Sequence, residues 1–155
     1  MPELTIDPNI SRLLPPEFVR SEVTALNARV RVVRLNNFLY YSKKGIACYD
    51  PETQEILLDP NVPASKICER INLKHPFLKL QENEAWIYEF YHELFHASRD
   101  PYVIRGEEYG DEWGAGSFAR DKIFELRKRG VQFCRIFFKG EIIGMIQMKI
   151  GAPKP

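Results

Sequence analysis

The sequence predicts a single α+β domain in which a small antiparallel sheet of three to five strands packs on two long helices, followed by a C-terminal β-hairpin. Apolar residues recur at helical spacing in two long segments, while alternating apolar and polar residues, broken by turn signals, occupy two other parts of the chain. A length of 155 residues suits one domain with a substantial core. The domain is therefore expected to span residues 1–155.

The first half of the chain is predicted to contain one helix and the main sheet. Pro16 suits the first position of a helix over about 16–27. The apolar period then changes to two, and Asp50-Pro51 indicates a turn, because proline presets φ for the second turn position. The resulting antiparallel meander is expected to use strands at about 29–32, 38–41, 45–49 and 55–58.

The second half is predicted to contain the two long helices and the hairpin. A helix is expected to end before Asp100-Pro101, since the residue before a proline disfavours the α region. The basic run 127–129 is interpreted as a solvated helix end that complements the helix dipole. The predicted segments are a short helix at 64–71, long helices at 81–98 and 111–129, a loop at 99–110, and hairpin strands at 131–138 and 141–150. The apolar hairpin predicts either additional core or a homodimer surface.

Composition and charge exclude several kinds of partner. The formal net charge is +1, which gives no indication of nucleic-acid binding. No apolar run approaches the roughly 18 residues needed to cross a membrane, and the N-terminal residues do not resemble a secretory signal. Cys48, Cys68 and Cys134 are interpreted as free thiols in a reducing compartment. A cytoplasmic protein is therefore expected.

The main chemical signal is His92-Glu93-Leu94-Phe95-His96, near the end of the first long helix. Histidines four residues apart are separated by about 40° around a helix and about 6 Å along it. Both imidazoles can therefore reach one Zn²⁺, and Glu93 is placed to take a proton from a metal-bound water.

A catalytic zinc site needs a third protein ligand. The remaining histidine, His75, follows the short helix and is interpreted as a surface or turn residue. The acidic candidates downstream are Glu107, Glu108, Asp111 and Glu112. Glu112 is favoured because Ala115, Gly116 and Ala119 share its helix face, and small residues let two helices approach closely. Asp111 is explained well as the N-cap of the same helix, and Glu107 and Glu108 lie in the predicted loop.

Two segments resemble a known family. The His92–His96 motif is followed, 16 residues after His96, by Glu-Trp-Gly-Ala-Gly-Ser-Phe-Ala at 112–119. This combination resembles the ImmA/IrrE-type zincin metallopeptidases, which carry His-Glu-Leu-Gly-His and then a helix reading Glu-x-x-Ala-x-x-Phe-Ala. The resemblance covers roughly residues 45–120 and includes the strand pair that borders the substrate cleft in that family. It implies a zincin-like fold, zinc held by His92, His96 and Glu112, and Glu93 as the general base.

The functional hypothesis is a zinc metallopeptidase acting on a protein or peptide substrate. Glu93 would assist attack by a zinc-bound water and then protonate the leaving amine. Tyr102, Arg105 and Tyr109 could stabilise the oxyanion, although ordinary loop residues are the simpler interpretation. Phe95 stands where the family has Gly, and the alternative hypothesis is a catalytically inactive, zinc-stabilised binding or scaffolding protein.

Overall fold

The computed structural model describes residues 4–37, 46–99 and 108–149, and these form an α+β fold. A four-stranded mixed sheet and a separate two-stranded hairpin accompany four α-helices in the described ranges. In chain order the elements are β1 (Thr5–Ile6), α1 (Pro16–Ala25), β2 (Val32–Leu35), β3 (Ala47–Asp50), β4 (Glu55–Leu58), α2 (Ala64–Lys74), α3 (Ala85–Arg99), α4 (Glu108–Lys128), β5 (Val131–Phe138) and β6 (Glu141–Lys149). Short 3-10 helices occupy Pro8–Arg12 and Glu82–Glu84.

The main sheet is mixed, so the predicted antiparallel meander is wrong. Strands β3 and β4 do form an antiparallel hairpin, but β2 runs parallel to both β1 and β4. The strand order is β1-β2-β4-β3, which places β4 between β2 and β3. Turn residues and apolar alternation predict where strands lie, but they do not predict which strands pair. Pairing depends on which strand faces can be buried together. The predicted strand at 38–41 lies outside the described residues.

Helix α3 forms the centre of the core. Ten of its fifteen residues are buried, so it is enclosed on nearly all sides. The Phe18 ring of α1 meets Phe90 and Tyr91 edge-on, with centroid distances of 6.2 and 5.7 Å. Ile56 and Leu58 of β4 are fully buried in the same core. Because packing fixes α3 from several directions, side chains at its C-terminal end are held on a rigid platform.

Several element boundaries differ from the prediction in ways that matter for the site. Helix α2 continues about one turn beyond residue 71 and ends at Lys74, which places His75 at its C-terminus. Helix α4 begins at Glu108 rather than at 111, so Glu108 and Tyr109 belong to the helix and not to a loop. The first predicted strand, 29–32, is replaced by β2 three residues later. Residues 100–107 of the predicted loop lie outside the described residues.

The basic run at the end of α4 is more than a solvated helix end. The Arg127 guanidinium donates from Nε to Oε2 of Glu84 (2.8 Å) and from an Nη atom to Oε1 (2.6 Å). It also donates to the carbonyl oxygens of Leu78 (2.6 Å) and Lys79 (3.1 Å). This hydrogen-bonded pair raises the pKa of Arg127. Arg127 therefore ties the end of α4 to the segment that leads into α3.

The C-terminal hairpin is confirmed. Lys139 and Gly140 both have positive φ, 50° and 80°, as the tight turns that suit hairpins require. Phe133 and Met145 are buried in the core, whereas the Phe137 and Phe138 side chains near the turn are exposed. The hairpin thus contributes to the core and also presents an apolar tip. A homodimer through this surface stays a prediction.

Cys48, Cys68 and Cys134 are all free. Among the helices of residues 4–37, 46–99 and 108–149, none combines the length and apolar character needed to span a bilayer.

Candidate metal centre

Helix α3 places His92 and His96 one above the other at the edge of the core. Their imidazole centroids are 5.2 Å apart, and about 15% of each side chain is exposed. Neighbouring residues Tyr91, Leu94 and Ala97 are buried and fix the rotation of the helix. The two imidazoles therefore have a defined orientation while retaining access to solvent.

Glu112 reaches both histidines from α4. Its Oε1 lies 2.8 Å from Nε2 of His96, and its Oε2 lies 3.4 Å from Nε2 of His92. The helices can approach so closely because Ala115 and Ala119, on the same face of α4, are completely buried. The expectation that a stripe of small residues brings Glu112 to the histidines is thus confirmed in its geometry.

Phe95 packs between the two helices beside this cluster. Its ring lies 5.5 Å from that of Phe118, and the Arg99 guanidinium lies 5.4 Å from the Phe95 centroid. A Cβ atom added to Gly114 would come within 3.0 Å of Cζ of Phe95, so only glycine leaves room for the ring as it stands. Phe95 therefore packs against α4, and its ring also meets that of His96 edge-on at a centroid distance of 6.2 Å.

Glu93 is buried and lies next to the cluster. Only 6% of the residue is exposed, and its Oε1 accepts a hydrogen bond of 3.1 Å from Nδ1 of His92. Because a carboxylate only accepts, this contact places the imidazole proton on Nδ1. The lone pair of His92 Nε2 then faces Glu112. A hydrogen bond from the other ring nitrogen to a carboxylate, as Nδ1 makes here to Glu93, commonly orients a histidine that binds a metal.

His92 and Glu112 of this cluster, together with Glu93, line a cleft of about 420 Å³. Ile46 and Ala47 of the β3 edge line one side, and the largely exposed side chain of Trp113 stands at the rim. Three carboxylates line the cleft, those of Glu89, Glu93 and Glu112. Three cations line it as well, those of Arg70, Lys74 and Arg120.

His75 is a partly exposed turn residue, as interpreted: it ends α2, and its carbonyl oxygen accepts from the N–H of Leu78 (3.0 Å). It also lines this cleft, where its Nε2 lies 3.7 Å from the position that a Cβ of Gly116 would occupy. Burial lowers the pKa of His75, and the nearby Arg120 and Lys74 lower it further. No local pattern in the sequence indicates this placement, because it depends on the extra turn of α2.

Tyr88 is a second cleft residue that sequence reasoning assigned to no role. Its hydroxyl donates to the carbonyl oxygen of Gly116 (3.3 Å) and joins α3 to α4 one turn beyond Glu112. Burial, followed by the charge of Glu89, raises the pKa of this phenol. Tyr88 precedes His92 by four residues on a predicted helix, and this spacing indicates that the two side chains share a helix face.

The side chains of the other acidic candidates, Glu107, Glu108 and Asp111, lie outside the described part of the structure. Asp111 is inside α4, four positions along the helix, and does not serve as its N-cap. Glu108 is the first residue of α4. Glu107, Tyr102 and Arg105 lie outside the described residues. The prediction that Tyr102 or Arg105 stabilises the oxyanion concerns these same residues.

Comparisons with models of protein families, with curated proteins and with solved structures find no match to this chain. The donor set can nevertheless be tested against zinc. Two imidazole nitrogens and a carboxylate oxygen are the ligand types that zinc accepts, and the three donor atoms lie within 4.8 Å of one another. With bonds of about 2.0–2.1 Å, neighbouring ligands of tetrahedral zinc are about 3.3 Å apart. The two imidazole–carboxylate separations, 2.8 Å through Oε1 and 3.4 Å through Oε2, lie on either side of this value.

Proposed function

We propose that this protein is a zinc-dependent metallopeptidase with a zincin-like arrangement of its helices. The observation that supports the proposal most strongly is the convergence of His92, His96 and Glu112 beside a buried Glu93 in an open cleft. Two helices supply these side chains, and each is fixed by core packing rather than by a loop. This combination is more specific than any of its members taken alone.

His92, His96 and Glu112 would hold the zinc ion. When bound, zinc supplies a Lewis acid that polarises a carbonyl group and lowers the pKa of water. Glu93 would take the proton of the attacking water and deliver it to the leaving amine. Its hydrogen bond to His92 adds a positioning role, because the same carboxylate fixes the tautomer of a ligand.

The sheet provides a surface for an extended peptide. Strand β3 is at one edge of the described sheet, and its first residue, Ala47, lines the cleft. The unpaired side of an edge strand offers backbone donors and acceptors to a further strand. A peptide bound in this way would run past His92 and Glu93, which favours a protein or peptide substrate over a small molecule.

The alternative of an inactive, zinc-stabilised scaffold rested on Phe95. That ring packs against Gly114 and Phe118 and meets the His96 ring edge-on at 6.2 Å. The cleft is lined by His92, Glu93 and Glu112 and not by Phe95, and this favours a peptidase over a scaffold.

Metal analysis combined with a cleavage assay tests the proposed function. Protein purified without chelator is expected to contain about one equivalent of zinc and to cleave an unstructured protein such as casein. Glu93→Gln should retain the zinc, because the amide oxygen can still accept from His92, but lose at least about 100-fold in turnover. Absence of bound zinc would count against the whole proposal. Equal cleavage by the variant and the wild type would exclude Glu93 as the base.

A further inference from the structure

Three cations line the cleft that holds the metal-ligand candidates. Arg70 and Lys74 are one turn apart on α2, and Arg120 is on α4. The pKa of His75 is lowered by Arg120 and Lys74 in addition to burial, which places both charges close to that imidazole. We call Arg70, Lys74 and Arg120 the basic wall.

The basic wall has unused capacity to bind an anion. Among the described residues, neither Arg70 nor Lys74 forms an ion pair. Arg120 contacts Asp121 through Nε at 3.1 Å, but a guanidinium has five N–H donors and this contact uses one. That pair is largely exposed and contributes little. Arg70, Lys74 and the remaining N–H donors of Arg120 are therefore available to an anion that enters the cleft.

The position of the wall along α4 sets its distance from the reacting centre. Arg120 follows Glu112 by eight residues, which is about two turns and roughly 12 Å of helix. An extended peptide advances about 3.3 Å per residue. A substrate group at the basic wall would therefore be about three to four residues from the scissile bond.

We propose that the basic wall binds a carboxylate of the substrate and makes the protein selective for acidic peptide segments. This inference rests on the peptidase function proposed above. The carboxylate comes from an aspartate or glutamate side chain about three to four residues from the cleaved bond. A free C-terminal carboxylate has the same chemistry, and the test separates these two sources.

The test uses fluorescent peptides of about ten residues with both termini blocked. A neutral parent carries Gln at every variable position, and each test peptide replaces one Gln by Glu. A further peptide keeps the neutral sequence but has a free C-terminal carboxylate. Anisotropy with zinc-loaded Glu93→Gln measures binding without turnover, while mass spectrometry of wild-type digests locates the cleaved bond.

Glu three to four residues from the cleaved bond is expected to bind roughly tenfold more tightly than Gln, as charge-assisted hydrogen bonds allow. Added salt should narrow this preference. If only the free C-terminus improves binding, the ligand is a terminal carboxylate and the proposed acidic segment is wrong. Equal binding of all peptides, or no binding of the acidic ones, overturns the proposal.

Charge removal on α2 identifies the residues responsible. Arg70→Gln combined with Lys74→Gln, in the Glu93→Gln background, should reduce the preference to about twofold or less and leave affinity for the neutral peptide within twofold. Lys66→Gln removes an exposed charge from the same helix outside the cleft and should leave the preference unchanged. A preference that survives the double variant, or disappears in Lys66→Gln, contradicts the assignment.

The two proposals fail in different ways. Zinc-dependent cleavage without any preference for Glu would reject the acidic specificity and leave the peptidase intact. A binding preference without cleavage by the wild type would reject the peptidase and retain the basic wall as a carboxylate-binding surface.

Discussion

Oε1 of Glu112 lies 2.8 Å from Nε2 of His96, although the two residues are on different helices. The contact depends on the close packing of α3 on α4 through Ala115 and Ala119, both fully buried. A carboxylate and an imidazole at this distance form a stable pair without a metal when the imidazole carries a proton. When both imidazoles present lone pairs instead, the same atoms make a three-ligand site.

Replacing the Glu112 carboxylate should distinguish the metal-free ion pair from the three-ligand zinc site. Glu112→Gln is expected to weaken zinc binding at least about 100-fold, because an amide is a much poorer ligand than a carboxylate. Zinc content after gel filtration and titration with a competing chelator measure the change. In addition, the zinc-induced rise in the midpoint of thermal unfolding should disappear in Glu112→Gln.

His75→Gln is the matched control. It removes a histidine from the same cleft but outside the three-residue cluster, so zinc affinity should stay within about threefold of the wild type. Loss of zinc in this variant would show that His75 is a ligand and that the donor set is misassigned.

Gly114 determines how closely Phe95 can pack on α4. Alanine is preferred over glycine inside helices by about 1 kcal/mol, but at residue 114 its Cβ would come within 3.0 Å of the Phe95 ring. At residue 116 the closest contact would be an ordinary 3.5 Å, to the Tyr88 hydroxyl. We expect Gly116→Ala to be more stable to urea than Gly114→Ala by about 1 kcal/mol.

A double-mutant cycle between Gly114 and Phe95 tests whether the clash between them causes this difference in stability. If the clash with Phe95 is responsible, Gly114→Ala should be stabilising relative to glycine when Phe95 is already Leu. A double-mutant cycle with no coupling would mean that the ring moves aside without cost.

Arg127 should contribute more to stability than its neighbours in the basic run. Arg127→Ala removes a two-point pair with Glu84 and two bonds to backbone carbonyls, and should cost about 2–3 kcal/mol in the free energy of unfolding. Arg127→Lys should recover only part of this, since lysine cannot pair at two points.

Arg129→Ala provides the comparison on the same helix end. Arg129 is mostly exposed, and its guanidinium is 3.9 Å from Glu125, a contact expected to contribute at most about 0.5 kcal/mol. Equal losses in Arg127→Ala and Arg129→Ala, measured by urea unfolding, would contradict the role assigned to Arg127.

Stability should fall at alkaline pH. Burial raises the pKa of both the Cys48 and the Cys68 thiol from 9.0 to about 11, and it raises the pKa of Tyr88 and Tyr91. The unfolded chain thus loses these protons at lower pH than the folded protein. Stability is fully present below about pH 9 and is lost as pH rises towards 11. Urea unfolding at pH 7.5, 9 and 10.5, with chelator present, measures the decline.

Cys68→Ala should make this decline shallower, because one of the shifted groups is removed. An unfolding free energy that is constant between pH 7.5 and 10.5 would contradict the expectation.

Local patterns predicted many elements because they act within one helix or one hairpin. The 3.6-residue period of α3 and the i, i+4 spacing of His92 and His96 follow from chain geometry alone. The turn at Lys139-Gly140 needs two residues with positive φ, a local property as well. The small residues beside Glu112 correctly predicted close packing of α4 on α3, because Ala115 and Ala119 lie on one face of a single helix and are both buried.

The sequence by itself thus predicted the helices to within about a turn, the terminal hairpin and the histidine pair, and it favoured Glu112 among four acidic candidates. Only the tertiary structure decided that β2 pairs in parallel with β4, and that α2 brings His75 and its cations to the cleft. The physical reason is that these contacts join segments far apart in the chain. Their free energy depends on which surfaces are buried together, and that choice leaves no period or spacing in the sequence.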